Sequence, residues 1–278
     1  MTNAFVLILL LLLLGYAAVC AYMYFYQEKI IFQPSRELTR TPADLHLEFN
    51  DLFLTASDGT KINAWYLPSA GNSDTAFTVL FFHGNAGNMS DCVETLKIFH
   101  SLQLNVLIID YRGYGLSDGE PSEHGSYLDG EAAWAWLQRQ GTKPQQIILA
   151  GRSLGGGVAT ELASRYPVRA LILESTYTSM PAIAQDVYPF IPAFWLVRHK
   201  YNNLKKLQAI HCPILIIHSR DDDYIKIKHG HTLYRALKSD SLKQFAEIRG
   251  DHGSGYLQSS SLYTRALNKF ISALQSAA

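Results

Sequence analysis

The sequence predicts an α/β protein with a mostly parallel sheet, helices on both faces and a small cap-like insertion, behind an N-terminal transmembrane helix. From residue 78 onwards, short apolar runs alternate with helical patterns, as expected for a sheet that is covered on both faces. The turn signal Asp58-Gly59 joins two earlier strand patterns, which predict an antiparallel edge. One strand pattern ends in a glycine-rich turn at residues 151–155 and continues into a helix.

Length and composition exclude several classes of protein. The chain has 278 residues and a net charge of +0, which suits one α/β domain with an appendage and gives no reason to expect a nucleic-acid partner. The cysteines, Cys20, Cys92 and Cys212, are too few and too scattered for a disulfide framework or a metal site. The sequence leaves the oligomeric state open.

Residues 4–25 are apolar and uncharged, which is long enough for a helix to cross a bilayer. A cleaved signal peptide would need a basic start and a shorter apolar core, and Met1-Thr2-Asn3 carries no basic side chain. A lipoprotein site at Cys20 fits poorly because Val19 precedes it. We therefore predict an uncleaved anchor at residues 1–28 and a folded domain at residues 29–278.

The basic residues next to this span follow it rather than precede it. Lys29, Arg36 and Arg40 favour a cytoplasmic domain by the positive-inside rule. Three charges are a weak bias, so the side of the membrane stays open.

The remaining chain is divided into elements by its hydrophobic periodicity. We predict strands at residues 46–54, 61–67, 78–82, 105–109, 146–150, 170–173, 214–217 and 245–248, and helices at residues 91–102, 126–140, 154–165, 228–238 and 262–274. Residues 30–34 are expected to be a short apolar link. Residues 180–207 are apolar but interrupted by prolines, which indicates an insertion over the strand ends or an ordinary packed excursion.

The turn at residues 151–155 has the pattern G-x-S-x-G. Between a strand and a helix, this pattern predicts a nucleophile elbow, in which Gly151 and Gly155 leave room for a tight turn and Ser153 projects from the sheet. The backbone N–H of Leu154 then points into the same space. The simpler interpretation is a glycine-rich turn with an incidental serine.

Active sites of such sheets lie beyond the carboxyl ends of the strands. After residue 82, a glycine-containing loop offers the N–H of Asn85 as a second oxyanion donor, or it is a plain turn. After residue 217, three adjacent aspartates offer an orienting acid, for which we choose Asp222 ahead of Asp223. A solvated turn or a weak cation site is the alternative there. After residue 248, His252 is the candidate base.

Other polar residues are given structural roles. We expect the loop beginning at Asp110 to be scaffold, and His83 to lie on the wrong side of the serine for a base. His229 and His231 lie on a predicted helix face, where we expect them to be solvated.

Three stretches carry a family resemblance: FHGNAGN at residues 82–88, DYRGYGLSDGEPSE at residues 110–123 and GRSLGGGVA at residues 151–159. With them, the chain resembles the α/β-hydrolase superfamily and, within it, the Bem46-like membrane-anchored proteins. The resemblance implies Ser153 as nucleophile, His252 as base and an aspartate in the 221–223 loop. Aligning that loop from His218 places the acid at Asp222, and Ser219 stands where the family has a familiar glycine.

These observations together predict a membrane-anchored serine hydrolase that cleaves carboxylic esters or thioesters of small-molecule or acylated, lipid-type substrates through an acyl-enzyme. No metal or organic cofactor is needed for that chemistry. A serine peptidase or amidase on the same triad, and a non-catalytic membrane-tethered interaction module, are the alternatives.

Overall fold

A computed structural model describes residues 2–72, 74–238 and 242–276. Within these residues, eight strands form one sheet with helices on both of its faces, which confirms the predicted fold class. A separate pair of very short strands lies beside it. The strands are β1 (Gln33–Pro34), β2 (Asn50–Thr55), β3 (Lys61–Leu67), β4 (Thr78–Phe82), β5 (Ala86–Gly87), β6 (Asn105–Ile109), β7 (Ile147–Arg152), β8 (Ala170–Glu174), β9 (Ile214–Ser219) and β10 (Lys243–Ile248).

The helices alternate with these strands along most of the chain. They are α1 (Thr2–Phe25), α2 (Gln27–Ile31), α3 (Val93–Ser101), α4 (Glu123–Arg139), α5 (Gly155–Arg165), α6 (Met180–Val187), α7 (Ala193–Leu196), α8 (Asn203–Lys206), α9 (Lys228–Ala236), α10 (Gly255–Gln258) and α11 (Ser260–Ser276). Short 3-10 turns occupy Pro42–Leu45, Met89–Cys92, Pro144–Gln146 and Leu207–Ala209.

The strand order in the large sheet is β2-β3-β6-β4-β7-β8-β9-β10. Strand β3 is antiparallel to both of its neighbours, and all other pairs are parallel. Strands β2 and β3 therefore form the antiparallel edge of the sheet, as predicted. In the centre, Phe82 at the end of β4 pairs with Gly151 in β7. The carboxyl ends of the central strands consequently meet on one side of the sheet.

Side chains on successive residues of the central strands enter two apolar cores, one on each face of the sheet. Leu80 and Leu149 belong to the core that packs against α4 and α5, while Phe81 and Ile148 belong to the core that packs against α3 and α11. All residues of β4, β6, β7 and β8 are buried. This two-sided burial explains why their sequences are apolar without alternation.

Some element boundaries differ from the prediction. Strand β2 begins at Asn50 rather than at residue 46, because Pro42–Leu45 forms a 3-10 turn that ends with His46 at a left-handed φ of 57°. The predicted link at residues 30–34 is instead ordered structure. Strand β1 pairs in parallel with β5, and the N–H of Gln33 donates to the carbonyl of Asn85 at 2.9 Å. The link is thereby attached to the loop that follows β4.

The segment between β8 and β9 contains α6, α7 and α8. It contacts the N-terminal helices: the hydroxyl of Tyr16 in α1 donates to the carbonyl of Phe190 at 2.9 Å. Phe190 and Trp195 are 87% and 86% exposed, respectively. Helix α1 is itself long and apolar enough at Asn3–Phe25 to cross a membrane.

Candidate active site

Ser153 lies in the sharp turn between β7 and α5, with a left-handed φ of 52°. This conformation is strained for a residue with a side chain. The turn requires both flanking glycines, since a Cβ on Gly151 would lie 2.3 Å from the carbonyl oxygen of Gly155, and a Cβ on Gly155 would lie 2.0 Å from that of Phe82. The glycine spacing seen in the sequence therefore has a steric cause in the fold.

Polar contacts with β8 hold the strained turn in place. The N–H of Ser153 donates to the carbonyl of Glu174 at 2.9 Å, and the hydroxyl of Thr176 donates to the carbonyl of Ser153 at 2.8 Å. Arg152 forms a two-pronged ion pair with Glu174 at 2.8 and 3.1 Å. Its guanidinium also lies 3.8 Å from the ring centre of Tyr256. These contacts hold Ser153 in position at the carboxyl end of β7.

His252 lies on the loop between β10 and α10 and reaches across to the serine. Its Nε2 atom is 2.9 Å from Oγ of Ser153, and its Nδ1 atom is 2.9 Å from Oδ2 of Asp222. A carboxylate at Nδ1 holds the ring proton there and leaves Nε2 free to accept from the serine hydroxyl. The structure thus brings the three predicted residues into one hydrogen-bonded line.

The three adjacent aspartates have different surroundings. The side chain of Asp222 is fully buried, and its Oδ1 atom accepts from the N–H of Ile225 at 2.7 Å. Asp223 accepts instead from the backbone N–H of His252 at 3.0 Å. Asp221 is half-exposed and lies 3.6 Å from Arg249. Only Asp222 among them contacts the imidazole ring.

The pKa of Asp222 lies below its usual value. Burial alone would raise this pKa, but the hydrogen bond from His252, the charge of that ring, the N–H of Ile225 and nearby His218 together outweigh it. Asp222 is therefore a carboxylate at neutral pH. An ionised Asp222 stabilises positive charge on His252.

From the sequence, His218 served only to align the loop that contains the acid. In the structure, its imidazole ring lies beside Asp222. Its Nε2 atom lies 2.8 Å from the carbonyl of Ile225 and 3.6 Å from Oδ2 of Asp222. Burial lowers the pKa of His218, although the Ile225 carbonyl and Asp222 oppose this effect. The sequence signal for this contact was the position of His218, four residues before Asp222.

Asn85 and Leu154 both line the cavity at Ser153. Within the described part of the chain, neither backbone N–H has a hydrogen-bond acceptor. The loop of Asn85 is anchored on both sides, because its side-chain amide donates to Ile31 at 2.9 Å and its carbonyl accepts from Tyr114 at 2.7 Å. Two free donors beside a serine hydroxyl can stabilise a developing oxyanion.

Asp110, which we expected to belong to the scaffold, lies beneath this loop. Its Oδ1 atom accepts from the N–H of Met89 at 2.7 Å and lies 3.3 Å from Nε2 of His83. His83 is buried, and its Nδ1 atom faces the carbonyl of Gly84 at 2.8 Å. Neither side chain contacts Ser153 or His252 among the described hydrogen bonds.

The serine opens into an apolar cavity with a volume of about 60 Å³. Besides Asn85 and Leu154, its walls contain residues that the sequence analysis did not assign to the site. They include Ile30 and Ile31 of α2, Tyr177, Tyr188 and Tyr224. The pairing of β1 with β5 brings the two isoleucines here. Their apolar character directly after the N-terminal span was the only sequence signal.

The expectation that His229 is solvated is wrong. His229 is 4% exposed, accepts at Nδ1 from the N–H of Thr178 at 3.2 Å, and contacts Asp186 through Nε2 at 2.9 Å. It therefore links α9 to α6 and the end of β8. Among the residues that the structure describes, no group of three or more His, Cys, Asp or Glu side chains is arranged to hold a metal ion.

The fold and this arrangement define a class of protein. A family model described as alpha/beta hydrolase fold matches residues 78–196. The chain also resembles full-length proteins over most of its length, at identities high enough to establish common descent. The chain therefore belongs to the α/β-hydrolase family.

Two of these relatives place it among the Bem46-like members. The alpha/beta hydrolase domain-containing protein WAV2 of Arabidopsis thaliana is 32% identical over 88% of this chain and 87% of its own. Protein bem46 of Schizosaccharomyces pombe is 31% identical over 85% of each chain. Among solved structures, the esterase Pf2001 of Pyrococcus furiosus is similar with a TM-score of 0.72 and 20% identity, covering 87% of this chain and 98% of that one. That last likeness concerns the fold alone.

Proposed function

We propose that this protein is a serine hydrolase that cleaves carboxylic ester or thioester bonds, with Ser153 as nucleophile, His252 as base and Asp222 as orienting acid. The observation that carries the proposal is the line of two 2.9 Å contacts from Ser153 through His252 to Asp222. A serine seldom has this arrangement by chance, because it needs groups from three separate strand ends.

In the proposed reaction, Nε2 of His252 takes the hydroxyl proton of Ser153 as Oγ attacks the substrate carbonyl carbon. The negative charge moves to the carbonyl oxygen, which accepts from the N–H groups of Asn85 and Leu154. His252 then gives its proton to the departing alcohol or thiol, and an acyl-enzyme remains. Water, deprotonated by His252, then attacks the acyl carbon. The bond from that carbon to Oγ breaks, His252 returns the proton to Oγ, and the acid and free Ser153 are released.

The cavity supports an acyl group as the part of the substrate that remains on Ser153. Its walls are aliphatic and aromatic, including Ile30, Ile31 and Tyr177, and no charged side chain lines it among the described residues. Apolar pockets with a few polar groups at one end are typical of ligand sites. An ester or thioester of an apolar acid fits this chemistry better than a charged substrate.

The first test is covalent labelling of the detergent-solubilised full chain with a fluorophosphonate probe. We expect labelling of the wild type and none of Ser153→Ala. Ser175→Ala is the matched control, since Ser175 is also buried and left-handed, with a φ of 43°, at the end of the neighbouring strand. A folded wild-type protein that stays unlabelled contradicts the proposal and favours the non-catalytic alternative.

We also propose that residues 1–28 anchor the enzyme in a membrane. The mean hydropathy of Asn3–Phe25 is 2.8 and none of it is buried, so its leucines would face water in a soluble protein, at considerable cost. The expected result is that the full chain stays in the membrane pellet after alkaline carbonate washing. Release into the supernatant would contradict the anchor.

A further inference from the structure

A second apolar cavity, with a volume of about 50 Å³, lies next to the cavity at Ser153. The two cavities share part of their walls. Ile30, Ile31, Met180, Ala184 and Tyr188 line both. The second cavity therefore adjoins the first one but is not lined by Ser153, and we call it the distal cavity.

The distal cavity ends against the apolar N-terminal helix. Met23 of α1 lines it, together with Ala193 and Leu196 of α7. Its walls are apolar apart from Gln27 and Tyr188. Two adjacent apolar cavities therefore lie between Ser153 and a side chain of the proposed membrane span.

Residues 188–197, which line the distal cavity together with Met23, also contact the proposed membrane span. The 2.9 Å bond from Tyr16 to the carbonyl of Phe190 is formed nine residues before Phe25, where α1 ends. At ~1.5 Å per residue, the contact lies about 14 Å along the helix from its end. If α1 crosses a bilayer, Phe190 is therefore at the depth of the acyl chains.

The exposed aromatic side chains agree with that depth. Phe190, Phe194 and Trp195 are 87%, 57% and 86% exposed. Aromatic rings on an element that lies in a membrane surface enter the boundary between headgroups and acyl chains. In water the same patch would be unfavourable.

The wall between the distal cavity and the span is held by Gln27, which is 4% exposed. Its side-chain oxygen accepts from the N–H of Arg198 at 2.7 Å, and its amide nitrogen donates to the carbonyls of Tyr24 at 2.8 Å and Leu196 at 3.3 Å. One buried side chain thus joins the end of α1 to the end of α7. These bonds hold α7, which lines the distal cavity, next to the proposed membrane span.

We propose that the distal cavity binds the far end of a long acyl chain, which enters from the bilayer between α1 and residues 188–197. The bound chain then extends along the shared wall and presents its ester or thioester carbonyl to Ser153. This inference rests on the proposed function and adds a substrate class, long-chain acyl esters or thioesters resident in the membrane.

The first experiment uses the full chain in phosphatidylcholine vesicles with 4-nitrophenyl butyrate and palmitate. Ala193→Phe and Leu196→Trp each place a large side chain in the distal cavity. Since a buried methylene is worth about fourfold in binding, we expect either variant to lower kcat/KM for palmitate at least tenfold and to change that for butyrate by less than twofold. Ala182→Phe, whose position lines a different groove together with Asp186 and Lys228, is the matched control and leaves both values unchanged.

An unchanged ratio of palmitate to butyrate activity in both cavity variants overturns the inference. The two cavity substitutions lie at different positions of α7, so poor folding of one leaves the other as a test. Butyrate turnover in every variant reports that the catalytic residues are intact.

The second experiment does not depend on turnover. Ser153→Ala in vesicles is irradiated with palmitoylglycerol that carries a diazirine at the last chain carbon. We expect adducts within residues 191–197 that disappear in Ala193→Phe and persist in Ala182→Phe. Adducts confined to α1 and unaffected by Ala193→Phe overturn the inference. Failure of fluorophosphonate labelling would contradict the proposed function alone, because these adducts do not require a reactive serine.

Discussion

Asp222 and His252 are joined side chain to side chain at 2.9 Å, whereas neighbouring Asp223 bonds only the backbone N–H of His252. The two carboxylates are adjacent in sequence and both contact the same residue. Only one of them touches the imidazole ring. This difference allows a test in which each aspartate is the control for the other.

We predict that Asp222→Asn lowers kcat for a 4-nitrophenyl ester by about 10³–10⁴, because the amide no longer holds the ring proton at Nδ1. Asp223→Asn should change kcat less than about threefold, since its amide oxygen still accepts from the backbone. Steady-state kinetics on both variants provide the measurement. An active Asp222→Asn beside an inactive Asp223→Asn would show that Asp223, and not Asp222, is the orienting acid.

Gly155→Ala is expected to destabilise the protein. Its Cβ would lie 2.0 Å from the carbonyl oxygen of Phe82, and backbone on both sides must move, at a cost of about 3 kcal/mol. For a domain of this size the loss corresponds to a Tm lower by roughly 6–12 °C. Gly71→Ala, which meets only the Gln103 side chain at 3.5 Å and the Ser69 hydroxyl at 3.7 Å, is the control. Equal melting temperatures for the two variants would refute the steric argument.

His218 makes stability depend on pH. Its pKa in the folded state is lowered from 6.5, chiefly by burial, so the unfolded chain binds its proton first as the pH falls. The contribution of neutral His218 is complete above pH 6.5 and is lost as the pH falls from there towards the lowered pKa. His218→Gln can still donate to the Ile225 carbonyl and does not titrate.

We therefore expect the free energy of unfolding of the wild type to decrease more steeply between pH 7 and 5 than that of His218→Gln, by at most about 1.4 kcal/mol per pH unit. Denaturant titrations of both proteins at several pH values measure the difference. Parallel pH profiles would show that His218 does not titrate differently in the two states.

We expect the hydrogen bonds of Gln27 to limit local unfolding of residues 188–199. Gln27→Leu removes the acceptor for the N–H of Arg198 and the donor to Leu196, each worth about 1 kcal/mol. We expect tryptic cleavage after the half-exposed Arg198 to become about tenfold faster. Gln33→Leu is the control, because the exposed Gln33 side chain makes only a 3.3 Å bond to Ile30. Similar cleavage rates in both variants would contradict this role.

The sequence by itself determined the fold class and most element positions. The buried central strands are apolar apart from residues at their ends, such as Thr78, Asn105 and Glu174, and strands β3, β4 and β6 have the predicted bounds. Gly151 and Gly155 indicated the elbow because a local steric demand acts on adjacent residues. Ser153, Asp222 and His252 were each placed by a local rule, that active residues follow strand ends.

The tertiary structure alone decided which residues surround them. Three successive aspartates have the same local chemistry, and only the path of the turn after β9 directs Asp222 rather than Asp223 to the ring. His229 lies on a helix whose polar sequence predicted exposure, but α6 and the end of β8 cover it. Residues 30–34 had the pattern of a link, and their pairing with β5 made Ile30 and Ile31 walls of the site. Contacts between residues far apart in sequence leave no periodic signal, because each depends on where the rest of the chain has packed.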